Sequence, residues 1–281
     1  MNISFLHHPI VLIAKKEIMD NIRNKWIILM TGIFAALTLL ISYFGSLGQG
    51  WQDLGLTIAG MMALVQYLIP IIGLMLGYAA IVGEIERGSM NALLSFPLKR
   101  IEVLIGKFLG LGGVLSFSLL VGFGIAGVVI SANVSEVDIA QYLIFLLASV
   151  LLGLVFVALS LLASSFFHNR STAMGLAIFL WFFFTMIWGI IMLGVAMLSM
   201  DVETALTTGF PDWYYAINII NPISSYGTLV SLNVGPVSSS FTEEAFSNPA
   251  FYSSELMATI LFLWIAISLT IAYIFFKKKD I

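Results

Sequence analysis

Six long apolar stretches punctuate this chain, and its lysines and arginines fall in only some of the gaps between them. The stretches occupy 26–43, 57–82, 104–130, 139–166, 172–198 and 256–276. Each is long enough to cross a hydrocarbon layer of about 30 Å as a helix of roughly 20 residues. Helix is the required form, because lipid offers no partner to an open backbone. A composition of 60% hydrophobic and 10% charged residues excludes an ordinary soluble domain. The sequence therefore predicts an all-α integral membrane protein with six transmembrane helices, one membrane domain over 26–281 preceded by a short helix over 1–25.

The charges orient the six spans. Lys15, Lys16, Arg23 and Lys25 precede span one, and Arg87, Lys99, Arg100 and Lys107 lie between or beside spans two and three. Arg170 separates spans four and five, and Lys277, Lys278 and Lys279 follow span six. All twelve basic residues thus lie on one side, which predicts that both termini face the cytoplasm. The opposite loops carry only acids, among them Asp53, Glu136, Asp138, Asp201, Glu203, Asp212, Glu243 and Glu244. The net charge of −3 conceals this division into a basic and an acidic face. With no cysteine, disulfides and thiolate metal ligands are excluded.

The N-terminal segment has the pattern of an amphipathic interfacial helix. Val11, Ala14, Ile18 and Ile22 recur at helical spacing, with Lys15, Lys16, Glu17, Asp20, Asn21 and Asn24 assigned to the other side. Span two contains Pro70, which predicts a bend. Span three contains Gly106, Gly110, Gly113, Gly122, Gly124 and Gly127, the small residues that let helices approach closely. Residues 200–254 form the one long external segment. Asp212 is expected to cap a short interfacial helix ending at Asn221-Pro222, and 231–248 to be open loop.

The most informative stretch joins spans two and three. Gly83 is expected to end span two and Glu84 to begin a short helix that Pro97 stops. On it Glu84, Arg87, Asn91 and Ser95 form a polar stripe, with Ile85, Ala92, Leu93 and Phe96 lying largely apart. Such an elbow, held at each end by a transmembrane helix, would move both spans when pushed. A plain charged connector that fixes topology is the competing explanation.

Gly83-Glu84, Glu86-Arg87-Gly88, Leu93-Leu94, Phe96-Pro97, Arg100 and Gly106-Lys107 resemble the cytoplasmic signature of type-2 ABC transporter permeases. There the pattern forms a coupling helix, here 84–97, that receives motion from an ATPase. The span count, the amphipathic N-terminal helix and the long loop before the last span match the same family over the whole chain. The resemblance implies an ATPase-coupling set of Glu84, Glu86, Arg87, Gly88, Asn91, Leu93, Pro97, Arg100, His168 and Arg170. Of these, Glu84, Glu86 and Arg87 would touch the ATPase, Gly88 and Pro97 would shape the elbow, and the turn around His168 would add a second contact. No G-x-x-x-x-G-K-[ST] motif occurs, so ATP and Mg would be bound by a separate cytoplasmic ATPase. Six spans are half the usual complement, which implies a homodimer in the cell inner membrane.

Lys16-Glu17, Asp20, Arg23-Asn24-Lys25-Trp26, the 81–84 run and Asn221-Pro222 with Tyr226 carry a closer resemblance, to the permeases of nitrous-oxide-reductase maturation transporters. That resemblance implies a periplasmic beta-helical partner and a role in assembling a copper site. The alternative is an exporter of a lipid-like or hydrophobic compound. No catalytic, cofactor, metal or nucleic-acid site is expected in the chain itself. The cores of the spans carry no ionisable residues, Gln66 suits an interhelical hydrogen bond, and His7-His8, beside Pro9, would point apart on a helix; Met61-Met62, Met192, Met197 and Met200 could suit Cu(I) but are expected to be apolar filler.

Overall fold

The computed structural model describes residues 8–23, 25–44, 54–133, 138–199, 210–234 and 249–279, and these are helical with short connections. The chain begins with α1 (Pro9–Arg23) and α2 (Trp26–Phe44), joined by a 68° bend at Lys25, whose φ of 57° is left-handed. Next come α3 (Leu54–Gly77), the short α4 (Val82–Glu86) and α5 (Ser89–Leu94), and the long α6 (Arg100–Ser131). Then come α7 (Ile139–Phe166), α8 (Arg170–Phe182), a π-helical turn (Phe183–Ile187) and α9 (Trp188–Ser199). The last are α10 (Asp212–Asn218), α11 (Pro222–Val234) and α12 (Ser254–Lys278).

Five helical spans are long and apolar enough to cross a membrane. The sixth, α2, has 19 residues and meets α1 at the bend. α7 is the hub, with α3, α6, α11 and α12 packed around it, while α6 carries α1 and α2 on its far side. α8 and α9 form the outlying span and bury little within the chain. Pro70 lies inside α3 without ending it.

The glycines of α6 explain this order. A Cβ on Gly106 would lie 2.7 Å from Ile13 Cβ, and one on Gly110 would lie 2.5 Å from Glu17 Cβ, so α1 rests directly on the α6 backbone. Gly122 gives α2 the same access at Phe34 and Thr31, and Gly127 receives the Tyr142 ring of α7. Gly124 faces open space. Close contact thus turns Ile13 and Glu17 of α1 inward and leaves Ile22 exposed. The sequence pattern puts Glu17 on the outer side with Lys15 and Lys16, and the structure reverses that. Periodicity cannot distinguish a glutamate facing solvent from one facing a buried lysine.

Three further expectations change. Gly83 does not end span two: regular helix stops at Gly77, a turn comes next, and Gly83 lies inside α4. The elbow is not one helix from Glu84 to Phe96. It breaks at Gly88, whose φ of 72° only glycine adopts at little cost, and α5 ends at Leu94.

Asn221-Pro222 likewise does not end the short interfacial helix, which stops at Asn218. It is the tip of a hairpin whose second arm, α11, is buried. Asn233 Nδ2 donates to Ser254 Oγ (2.8 Å) at the start of α12, so α11 ends at the acidic end of the bundle. Its 13 residues then place Pro222 about 18 Å below, near mid-height. There Tyr226 and Ser149 of α7 share a 3.1 Å hydrogen bond, and Trp264 donates to the Ile220 carbonyl (2.8 Å). Asn221 Nδ2 donates to the Phe184 carbonyl (2.8 Å), in the π-helical turn where the regular bonding register shifts. α10 is preceded by Pro211 at its cap position, with Asp212 in its first turn. Of the expected open loop, 231–234 belong to α11 and 235–248 lie outside the described residues.

Candidate functional site: the charged junction at the basic end

Lys107 is the eighth residue of α6, about 10 Å along a helix that is otherwise apolar for most of its length, and it is 1% exposed. An ammonium there would be costly alone, and two glutamates neutralise it. Its Nζ lies 2.6 Å from Glu17 Oε1 on α1 and 3.0 Å from Glu84 Oε1 on α4. Lys16 Nζ donates to the same Glu84 oxygen at 2.7 Å. Two lysines and two glutamates thus form a neutral group that joins three elements. Glu84 Oε2 is buried with no hydrogen-bond partner, so Glu84 is held by the two lysines through its other oxygen.

A second clamp holds the outlying span. Glu86 Oε1 accepts from the Arg170 backbone N–H (2.7 Å), and Oε2 lies 3.1 Å from Arg170 Nε. The carboxylate therefore serves the N-terminus of α8, where the cap residue Asn169 contributes no side-chain bond. Arg170 and Arg87 both donate to the Gly83 carbonyl, at 2.8 and 3.0 Å. A Cβ on Gly83 would lie 2.8 Å from Arg170 Nε, so glycine admits the guanidinium. Ser164 Oγ of α7 accepts from the N–H groups of Ile81 (2.9 Å) and Val82 (3.0 Å), which the turn before α4 leaves without a ladder partner.

A third contact ties down the end of α12. Arg100 Nη1 donates to the carbonyls of Phe276 (2.6 Å), Lys277 (3.0 Å) and Lys279 (2.7 Å), a cation at a helix C-terminus. Lys279 Nζ in turn donates to the carbonyls of Ser164, Ser165 and Phe167 at the end of α7. Burial pushes this ammonium down to about 8.

The structure thus brings Glu84, Glu86, Arg87, Arg170 and the Gly83 carbonyl together and places Arg100 at the end of α12. Glu84 does not join the exposed stripe with Arg87, Asn91 and Ser95. Gly88, Asn91, Pro97 and His168 are exposed, and Leu93 is half-buried. Sequence reasoning missed Lys16, Glu17, Ser164 and Lys279, and placed Lys107 at a span margin. One signal was available: Ile13 and Glu17 share the four-residue spacing of Gly106 and Gly110. Met61, Met62 and Met192 are buried, Met197 is exposed, and Met200 lies outside the described residues.

The described residues form a multi-pass helical bundle with a broken, charge-clamped elbow between its second and third spans. The chain belongs to the ABC-2 family of transporter proteins, whose family model matches residues 11–281. It is an ABC-2 type permease subunit and a multi-pass membrane protein. A probable ABC transporter permease protein NosY of Pseudomonas aeruginosa is 35% identical over 276 residues, covering 96% of this chain and 98% of that protein. One of the same name from Stutzerimonas stutzeri is 31% identical over 274 residues, covering 95% and 97%.

Proposed function

We propose that this chain converts ATP hydrolysis by a separate cytoplasmic ATPase into movement of its transmembrane helices. It does so as a homodimer in the inner membrane, with its basic end and both termini in the cytoplasm. ATP and Mg belong to the ATPase. The observation that carries this is the junction itself. The elbow is fastened to α1 and α6 through Glu84 and to α8 through Glu86, so a push on it reaches the N-terminal helix and spans three and five together. The resemblance to NosY permeases supports a role in maturing the copper site of nitrous oxide reductase, with force relayed to a periplasmic beta-helical partner.

The hairpin supports relay toward the acidic, external end. Asn221 is bonded to the π-helical turn, and Trp188 Nε1 donates to Asn218 Oδ1 (3.2 Å), so displacement of the outlying span pulls on the hairpin directly. The alternative function, which membership of a transporter family supports, is export of a lipid-like compound.

The test is purification of the tagged chain from mild detergent, with mass spectrometry of the co-purifying proteins and an ATPase assay. An ATPase that co-purifies and is stimulated by the permease is expected. A secreted beta-helical companion supports relay, and ATP-dependent movement of labelled lipid supports export. Absence of any ATPase while the permease dimer persists would overturn the proposal.

A further inference from the structure

The charges of the elbow are engaged within the permease. Glu84 is held by Lys16 and Lys107, and Glu86 by Arg170. Arg100 caps α12, and Glu102 accepts from the Lys99 N–H (2.8 Å). What the elbow shows to solvent is different. Between Arg87 and Lys99 the exposed residues are Gly88, Ser89, Asn91, Ala92, Ser95, Phe96 and Pro97. Phe96 is 64% exposed, the one large apolar side chain among the described elbow residues to stand free. Met90 is fully buried, so α5 has a defined inner face and Phe96 lies beyond its end.

The Phe96 backbone is fixed. Its carbonyl accepts from the Leu98 N–H (2.7 Å), Pro97 restricts the chain after it, and Ser95 Oγ donates to the Ala92 carbonyl (2.8 Å) before it. A rigid aromatic knob in a polar surround is the usual form of an anchor at a protein interface. A segment dipping into lipid would instead expose large apolar residues along its length, whereas here the exposed positions of the elbow include Arg87, Asn91, Ser95 and Lys99. Among the described residues, Arg87 and Lys99 are exposed without a carboxylate partner, and each nearby acid, the exposed Glu86 included, already has a basic or N–H partner.

Resting on the ATPase proposal above, we infer that Phe96 is the anchor of the ATPase contact. It fills an apolar pocket rimmed by carboxylates on that partner, which Arg87 faces. Glu84, Glu86 and Arg100 then act inside the permease, passing the displacement onward.

The test measures binding of the purified ATPase to the full chain in nanodiscs, with thermal unfolding as a check on each variant. Phe96→Ala should weaken binding by about tenfold or more, the loss typical of an anchor residue. Phe96→Leu should keep most of the affinity. Phe117→Ala, at another exposed phenylalanine, on α6, should behave as wild type. Arg87→Glu should weaken binding, most strongly at low salt, because a carboxylate facing the rim is repelled until salt screens it. Equal binding by Phe96→Ala and wild type would overturn the inference and assign the ring to the headgroup layer. Indifference to Arg87→Glu would overturn the acidic rim. Failure of the wild type to bind any ATPase would instead overturn the proposed function.

Discussion

Lys107→Met is the sharpest perturbation of the junction. The variant keeps the length and apolar stem of the side chain but removes the charge 2.6 Å from Glu17 and 3.0 Å from Glu84. Glu84 retains Lys16, so the larger loss falls on Glu17, which pairs with Lys107. Removing one member of a buried pair costs about 3–5 kcal/mol, because the remaining charge stays desolvated. Removing both restores neutrality, so Glu17→Leu/Lys107→Met should cost only about 1 kcal/mol. The cycle of the two singles and the double should therefore give a coupling of about 2 kcal/mol or more. The assay is reversible unfolding in mixed detergent and SDS micelles, monitored by the fluorescence of the chain's 6 tryptophans. The same variants would be scored for permease-stimulated ATP turnover. If the two singles add to the double within about 0.5 kcal/mol, Lys107 and Glu17 are independent and the junction is not a unit.

Ser164→Ala should cost about 2 kcal/mol, since the Ile81 and Val82 N–H groups lose their shared acceptor. Faster amide exchange at those two residues would check it. Gly110→Val should push α1 off α6, because even a Cβ would lie 2.5 Å from Glu17 Cβ and 2.9 Å from the Ala14 carbonyl. Protease access to α1 should rise while the other spans stay folded. Lys25→Gly should stabilise the chain by up to about 1 kcal/mol by relieving the left-handed backbone at the bend, seen as a higher unfolding temperature. A fall in that temperature would mean the lysine side chain outweighs the strain.

The apolar periods and the confinement of twelve basic residues to one face determined the class of this protein and its helical spans. Lipid accepts few other solutions, so composition and length suffice. Elbow position, N-terminal helix and the small-residue packing of α6 were also legible, because each is written in local spacing. The hairpin was not. Pro222 reads equally as a helix stop or a helix start, and only the packing of Tyr226 on Ser149 and of Asn221 on Phe184 selects the second. The use of each charge was not legible either. Glu17, Glu84 and Lys107 are far apart along the chain, and their partners depend on which helices touch. Local sequence determines where a helix forms and which residues it carries. Whether a given charge faces water, lipid or an opposite charge is decided only when three helices meet.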